Sequence, residues 1–363
     1  MRILVVNCGS TTLKYRLFLA GNGGVQLVTG GVQELVGGYR AAVASVLRSL
    51  PAAPEAIGHR IVHGGDGLPE LVAVDVTVLN RLRELAPMAP LHNGPALEGI
   101  EATLGLGVPL IAAFDTAFHR TLPERAWRYA VPLPAGVRRY GFHGWSHRSV
   151  MERYAELTGN AQPTIITLHL GSGCSAAAIQ RGISIDTSMG YTPLEGLVMG
   201  TRPGDLDPGI VIHLLQQGTT LERLRLLLNC ESGLKALAGS HDMRELLDRN
   251  DPPAATAVDI FCYRIRKYVG AYLAVLGGAE AIVFTGGIGE NSAEIRRRIC
   301  QDLGWAGVEL DDLRNTSGEE RISTPAARIA VYAIRTDEER VIAREAWRWL
   351  ASGSVPPYSP GPS

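Results

Sequence analysis

The fold of this protein is decided by the stretch Val5–Leu17, VVNCGSTTLKYRL. Apolar residues on both sides of a short polar segment predict a strand, a tight turn and a second strand. The turn contains an amide, a glycine, three hydroxyls and a lysine, all of which can bind phosphate. A similar unit recurs at residues 164–176, TIITLHLGSGCSA. Either unit alone could be an ordinary β-hairpin, but the pair predicts two related halves that bind one polyphosphate.

Composition limits the class of protein and its partners. The 363 residues are enough for two domains, and 46% hydrophobic with 20% charged residues is ordinary for a globular protein. The net charge of −1 gives no reason to expect a nucleic-acid or membrane partner. The five cysteines are dispersed, with no CxxC pair, and no signal peptide or membrane-length apolar stretch is visible. These features predict a protein of the reducing cytoplasm.

Strand and helix patterns alternate along the chain, with glycine between them, which is typical of an α/β protein. Residues 21–38 are turn-rich and are predicted to be peripheral, and the prolines at 87 and 90 are predicted to end a helix. The last helix is predicted at 336–350, with Thr336 as its N-cap and Glu339 completing a capping box. The predicted strands are 1–20 as a hairpin, 56–62, 109–114 and 281–285, and the other predicted helices are 39–50, 77–86, 94–104, 146–158 and one from 292.

Several residues have the type and setting of active-site groups. Arg60 and Arg202 lie among glycines, where a guanidinium held in a tight loop suits bidentate binding of carboxylate or phosphate; a structural salt bridge is the alternative for each. Asp115 follows a predicted strand, as carboxylates of α/β active sites often do, although it could also cap a turn. Residues 286–291, GGIGEN, either approach an anion or nucleoside or form a tight β–α turn. The GxxxxGK[ST] pattern is absent, which excludes a P-loop protein.

Histidines are spaced four apart twice, as His59 with His63 and His143 with His147. Such spacing can bind zinc on a helix, but neither pair has the glutamate of HExxH and their surroundings are strand-like or contain glycine. The sequence therefore disfavours metal binding by these histidine pairs. A hydrogen bond from His143 to a phosphoryl oxygen is the favoured interpretation.

Read together, these segments resemble the acetate kinase family from residue 3 to about residue 348. The resemblance is carried by segments that occur in the family's order: Asn7–Ser10 with Lys14, 58–65, 90–93, 114–119, 140–147, 169–173, 186–189, 192–197, 200–202, 242–244, 284–292 and 338–339. It implies two duplicated actin-like (ribonuclease H-like) α/β domains with a nucleotide cleft between them. The implied domains are 1–147, joined by a C-terminal helix at 338–351, and 148–335, followed by a disordered tail at 352–363.

The resemblance also implies an activity and partners. The implied reaction is the reversible transfer of the γ-phosphoryl group of ATP to acetate, which gives ADP and acetyl phosphate. ATP or ADP would be the co-substrate, Mg²⁺ (or alternatively Mn²⁺) the metal, and a second copy of the chain the partner, with no nucleic acid or membrane involved.

Site residues are carried over position by position. Catalytic roles are implied for Asp115, His143 and Arg202, and carboxylate binding for Arg60. The implied apolar pocket for the methyl group is Val62, Leu91, Phe142 and Pro193. Mg²⁺ would be placed by Asn7 and Glu338. The implied nucleotide and phosphate contacts are Lys14, His169, Leu170, Gly171, Ser172, Gly173, Asp242, Met243, Arg244, Gly287, Ile288, Gly289, Glu290 and Asn291.

The chain departs from the family pattern at a few positions. Ser172 stands where the family has asparagine, and Pro203 stands where it has serine, directly after Arg202. Proline removes an N–H and stiffens that loop. Two rival functions stay open: a propionate or butyrate kinase on the same scaffold, against which the size of Val62 favours acetate, and a non-catalytic ATP-binding module of the actin or Hsp70 kind.

Overall fold

The computed structural model describes residues 1–9 and 11–353, except for the side chains of Pro90 and Leu91. The strands are β1 Arg2–Cys8, β2 Thr12–Gly21, β3 Gly24–Glu34, β4 Ala56–Ile61, β5 Leu71–Ala73, β6 Leu110–Phe114, β7 Ile165–Leu170, β8 Cys174–Gln180, β9 Ile183–Thr187, β10 Ala281–Thr285 and β11 Ala330–Ala333. The helices are α1 Gly38–Ser49, α2 Val76–Leu85, α3 Pro90–Thr103, α4 Glu124–Trp127, α5 Gly144–Thr158, α6 Pro208–Gln216, α7 Leu221–Cys230, α8 Gly233–Ala238, α9 Met243–Asp248, α10 Pro252–Leu276, α11 Gly286–Asn291, α12 Ala293–Cys300, α13 Asp312–Ser317 and α14 Glu338–Ala351.

The chain divides into two compact units. The first contains Met1–Phe118, Phe142–Trp145 and the chain from Asp337 onward, and the second contains His119–Gly141 and Ser146–Thr336. The sequence-based division kept residues 1–147 together, whereas residues 119–141 pack with the second unit. The predicted tail lies outside the described residues from position 354, as does Ser10 of the first turn.

The two units contain sheets that share one five-strand arrangement, to which the first sheet adds β5, antiparallel to β6. In the first, β1 pairs antiparallel with β2 and parallel with β4, and the sheet order is β3-β2-β1-β4-β6-β5. In the second, β7 pairs antiparallel with β8 and parallel with β10, and the order is β9-β8-β7-β10-β11. Each sheet thus begins with two hairpins and continues with parallel strands. The predicted duplicated α/β fold is confirmed.

Strand β3 corrects one sequence prediction. Residues 21–38 were predicted to be peripheral turns, but Gly24–Glu34 is an eleven-residue strand paired with β2. The strand lies at the sheet edge and none of its residues is fully buried. Its glycines and polar residues therefore need not follow the alternation that marks a half-buried strand.

Two helix termini also differ from prediction. The helix predicted at 77–86 ends at Leu85, before the prolines, as expected, but the next helix begins at Pro90 rather than at 94; the missing N–H of a proline costs nothing at the first helical position. Helix α14 begins at Glu338 rather than at Thr336, and its N-cap residue Asp337 makes no side-chain capping bond. The Thr336 hydroxyl is buried without a hydrogen-bond partner among the described residues, so the predicted capping box is wrong.

The apolar core fixes the sheet edge that carries the first predicted site. Strands β1, β4 and β6 consist almost wholly of buried residues, as expected where helices cover both faces of parallel strands. Helix α14 packs on this sheet through Val341 and Ile342, which share a core cluster with Ile3 and Val5. The carboxyl ends of β4 and β6 and the first turn of α14 therefore meet.

Candidate active site

The first unit brings Arg60 and Asp115 together at the carboxyl ends of two neighbouring strands. Strands β4 and β6 are parallel, and Arg60 lies opposite Ala113, two residues before Asp115. Arg60 Nε and Nη2 donate to the two oxygens of Asp115 at 2.8 and 2.7 Å, a bidentate pair. Arg60 thus lies on the strand predicted at 56–62 rather than in a tight loop, and Asp115 accepts hydrogen bonds from its guanidinium.

Glu338 joins this pair from the first turn of α14. Arg60 Nη1 lies 2.5 Å from Glu338 Oε2, and the side chains of Arg60, Asp115 and Glu338 are only 12%, 1% and 8% exposed. The pKa of Glu338 is raised to about 7, because burial, as the largest cause, together with Asp115 and Glu339 outweighs the opposing effect of Arg60 and Lys14. We call Arg60, Asp115 and Glu338 the arginine–carboxylate cluster. Three of the five Arg60 N–H donors are used within it, which leaves two for a ligand.

His143 has a backbone conformation that few side chains adopt. Its φ is +56°, in the left-handed region, and His143 is one of two non-glycine residues there in the described chain. Such strain is found preferentially at functional sites, because the surrounding structure must enforce it. The next residue, Gly144, leaves no space for a Cβ, which would overlap the carbonyl oxygen of Asp115.

Replacing Gly144 with alanine should therefore destabilise the first unit. We expect a loss of about 1–3 kcal/mol in the free energy of unfolding, because a backbone carbonyl next to the cluster must move. Urea denaturation measures it. Gly94→Ala is the matched control, since a Cβ at that helical position meets nothing within 4 Å. Equal stability of the Gly144 and Gly94 variants would contradict the argument.

The β1–β2 turn is closed by its own backbone. Gly9 N–H donates to the Thr12 carbonyl at 2.8 Å, and the Tyr39 hydroxyl donates to the Gly9 carbonyl at 2.5 Å. Gly9 therefore allows the tight turn, whereas sequence reasoning gave it an N–H for phosphate. On the flanking strands, Asn7 and the exposed Lys14 lie directly opposite each other in the β1–β2 register.

The equivalent turn of the second unit is also closed by the N–H of a glycine, although to the carbonyl two residues on rather than three. Gly171 N–H donates to the Gly173 carbonyl at 3.1 Å, and His169 Nδ1 lies 2.7 Å from the Ser146 hydroxyl. Gly286 has φ +77°, and a Cβ there would lie 2.7 Å from the Leu170 carbonyl oxygen. Residues 286–291 form helix α11, neither a tight turn nor an open loop. The predicted nucleotide segments 169–173 and 287–291 lie side by side.

Several of the predicted nucleotide residues use their side chains within the protein. Glu290 Oε1 accepts hydrogen bonds from the Thr285 hydroxyl and from the backbone N–H groups of Gly286 and Thr336, at 3.0–3.1 Å. Asp242 caps α9 and forms an ion pair with Arg244, whose side chain is 89% exposed. Contacts with a nucleotide would come from the backbone around Glu290 and from the exposed Arg244.

Arg202 is the opposite of Arg60 in its electrostatic setting. Its one side-chain hydrogen bond among the described residues runs from Nη1 to the Pro193 carbonyl at 2.8 Å, and no described carboxylate pairs with it. Burial lowers the pKa of Arg202 from its ordinary value. A guanidinium that is largely buried without a counter-ion is costly, so this position favours an incoming anion.

The other predicted residues are placed as follows. In the first unit, the Phe142 ring packs edge-on against His63 with 5.4 Å between ring centres, and Val62 is half-buried. Pro193 is buried in the second unit beside Arg202. The side chain of Leu91 lies outside the described residues.

One histidine of each pair uses one or both of its ring nitrogens in hydrogen bonds within the protein. His147 is hydrogen-bonded through both ring nitrogens, to the hydroxyls of Thr167 and Ser175, and His59 Nε2 lies 3.0 Å from the Thr103 hydroxyl. Within the described ranges, no three or more His, Cys, Asp or Glu side chains are grouped to hold a metal ion. Nor does any helix in those ranges combine the length and apolar composition that crossing a bilayer requires.

Comparison of this duplicated α/β chain with known proteins defines its class as that of phosphotransferases that act on a carboxyl group. Residues 43–344 match the Acetokinase family, and the chain belongs to it. It is 45% identical to the acetate kinase of Micrococcus luteus over 96% of this chain and 99% of that protein. Among solved structures it is similar to Porphyromonas gingivalis acetate kinase (37% identity, TM-score 0.85, covering 96% and 99% of the two chains). It is equally similar to a propionate kinase from Francisella tularensis (36% identity, TM-score 0.86, covering 95% and 98%).

Proposed function

We propose that this protein is an acetate kinase, which transfers the γ-phosphoryl group of ATP reversibly to the carboxylate of acetate. The observation that carries the proposal is the 45% identity to an acetate kinase over nearly the whole of both chains. The family membership supports ATP and ADP as co-substrates. The five cysteines are all free, which supports a reducing compartment such as the cytoplasm.

The chemistry requires positive charge more than a base. Acetate is already ionised at neutral pH, so the difficulty is that one anion must attack another. The two remaining N–H donors of Arg60 would bind the carboxylate, and Asp115 would orient that guanidinium. Arg202 would stabilise the transferring phosphoryl group, and His143 would donate a hydrogen bond to it.

Oxygen donors of the first unit would bind magnesium together with the substrate phosphates. Glu338 Oε1 has no hydrogen bond or ion pair among the described residues, and Asn7 supplies an amide oxygen from β1, so hard oxygen donors are available. Mg²⁺ commonly takes one or two protein oxygens together with substrate phosphates, which agrees with the lack of a larger described ligand cluster. Asn7 and Glu338 would hold it, with Mn²⁺ as an alternative. When bound, the ion would neutralise phosphate charge.

The nucleotide would be held mainly by the second unit. The segments 169–173 and 287–291 lie side by side there, and Met243 with its neighbours Asp242 and Arg244 would complete the set. Lys14 would contribute a point charge to the phosphates. Ser172, where the family has asparagine, has an exposed side chain and would offer a hydroxyl in its place.

Formation of acyl hydroxamate from ATP, hydroxylamine and a series of short-chain acids tests the proposal. Acetate should give the highest kcat/KM, with propionate and butyrate lower, because Val62, Leu91, Phe142 and Pro193 would leave room for a methyl group. One methylene is worth about 1–3 kcal/mol, or roughly 10- to 200-fold. A preference for propionate would favour a propionate kinase instead, and the chain is also similar to a protein of that name. ATP binding without hydroxamate would favour a non-catalytic module.

We also propose that the chain forms a homodimer through helices α6 and α7. Helix α6 has no buried residue although its sequence is PGIVIHLLQ, and Ile210, Ile212 and Leu215 are 45–57% exposed. On α7, Leu221 and Leu226 are 56% and 47% exposed. An apolar surface of this kind usually marks an interface, and a second copy would cover it symmetrically.

Introducing a charge at this surface should break the dimer. Ile212→Glu is expected to convert a dimer to a monomer in sedimentation analysis, since an unpaired carboxylate would be buried at the interface. Leu313→Glu is the control, because Leu313 is 82% exposed and is the one apolar residue of α13. A dimer that survives Ile212→Glu but not Leu313→Glu would place the interface elsewhere.

A further inference from the structure

Sequence reasoning did not single out Arg139, yet its guanidinium is bonded to the loop that carries Arg202. We call residues 187–208 the Arg202 loop. Arg139 Nη1 donates to the carbonyl oxygens of Thr187, Ser188 and Met189 at 3.0–3.2 Å. Arg139 Nη2 forms an ion pair with Glu195, further along the same loop. One guanidinium therefore connects the beginning of the loop to its middle.

Glu195 is held on both of its oxygens. The Tyr129 hydroxyl donates to Glu195 Oε2 at 2.5 Å, and the same phenolic oxygen accepts the N–H of Tyr191 at 2.9 Å. Gly190 lies against this contact, and a Cβ there would overlap Glu195. A charged, partly buried network with every partner supplied specifies one conformation more strictly than apolar packing does.

The restrained segment leads directly to Arg202. Pro193, two residues before Glu195, supplies the carbonyl that accepts from Arg202 Nη1 at 2.8 Å. On the other side, Gly196 N–H donates to the Asp205 carboxylate at 3.0 Å, and Asp205 N–H donates to the Gly196 carbonyl at 2.9 Å. A shift of Glu195 would therefore move the neighbour that fixes the Arg202 guanidinium and the loop segment that follows it.

We propose that Arg139 is a positioning residue that acts through Glu195 and Pro193 to set the Arg202 guanidinium for phosphoryl transfer. The proposal rests on the proposed function, because it assumes that Arg202 acts on the transferring group. Arg139 is assigned no contact with substrate. A misplacement of about 1 Å caused by a residue remote from the chemistry can cost about 100-fold in rate.

A double-mutant cycle tests this coupling, using Arg139→Gln, Arg202→Ala and the double variant in the hydroxamate assay. Arg139→Gln should lower kcat about 10- to 100-fold and leave the KM for ATP within about twofold. In the Arg202→Ala background, the same change should lower kcat by less than about threefold, because contacts that act through one group are not additive. Arg328→Gln is the control: Arg328 also donates to a backbone carbonyl, that of Ala306, outside the loop.

The outcomes separate the two proposals. If Arg202→Ala loses activity and the two losses multiply, or if Arg139→Gln keeps wild-type kcat, the positioning role is overturned and the proposed function stands. If Arg202→Ala keeps wild-type kcat, the role of Arg202 fails and the positioning role fails with it. If Arg139→Gln does not fold, Tyr129→Phe replaces it in the cycle, since it removes the other donor to Glu195. For Tyr129→Phe, a loss of kcat smaller than that expected for Arg139→Gln supports the proposal if it does not multiply with the loss of Arg202→Ala. Losses that multiply overturn it.

Discussion

Replacing Arg202 with alanine should lower kcat at least about 100-fold, with a smaller effect on the KM for ATP. Arg202 is a largely buried cation with no described carboxylate partner, so little of its charge is neutralised before an anion arrives. A single arginine that stabilises the transition state of phosphoryl transfer is worth about 10³- to 10⁵-fold in comparable systems. An interaction made mainly in the transition state is lost from kcat rather than from KM.

Steady-state kinetics in the hydroxamate assay measures this loss. Arg202→Lys is the informative companion, because it keeps the charge and loses the planar fork. We expect lysine to recover part of the rate. A turnover within about threefold of wild type for the alanine variant would remove Arg202 from the transition state.

Replacing Arg60 with alanine should destabilise the protein as well as weaken acetate binding. Arg60 lies between Asp115 and Glu338, and both carboxylates are almost fully buried. Removal of one partner from a buried ion pair costs about 3–5 kcal/mol, because the remaining charge is left uncompensated. Loss of a charge-assisted hydrogen bond to acetate, worth about 1.5–3 kcal/mol, should raise the KM for acetate about 10- to 100-fold. The sequence left carboxylate binding and a structural salt bridge as alternatives for Arg60, and its ion pairs with Asp115 and Glu338 are the reason to expect the loss of stability.

The stability loss should depend on pH with a definite sign. Burial already raises the pKa of Glu338 to about 7, and loss of Arg60 removes the cation that opposes this rise. A carboxyl whose pKa is higher in the folded protein than in the unfolded chain holds its proton longer in the folded state, so stability falls as pH rises between the two pKa values. Urea denaturation of Arg60→Ala should therefore show a smaller deficit at pH 5 than at pH 8.

A second substitution provides the control. Glu338→Gln in the Arg60→Ala background removes one of the uncompensated charges and should restore part of the stability at pH 8, without restoring acetate binding. A deficit that is the same at both pH values would show that packing, not buried charge, dominates the loss.

Local sequence was sufficient for much of the fold and for the identity of many candidate site residues. The hairpin signals at residues 5–17 and 164–176 each combine an apolar alternation with a glycine turn, and both became the central hairpins of the two sheets. Asp115 was predicted from its position after a buried strand, and it lies there. Such signals are short-range, because they depend on backbone preferences and on burial of the strand itself.

What the sequence by itself determined was therefore the duplicated α/β class, the family and the residue types that suit a carboxylate and a phosphoryl group. What only the tertiary structure decided was pairing between distant positions: Glu338 with Arg60, Arg139 with Glu195, and Arg202 with a carbonyl in place of a carboxylate. The same guanidinium can be a neutralised ion-pair partner or an anion site, and its residue type does not distinguish them. The distinction depends on which carboxylates the folded chain brings within hydrogen-bond distance once water has been excluded.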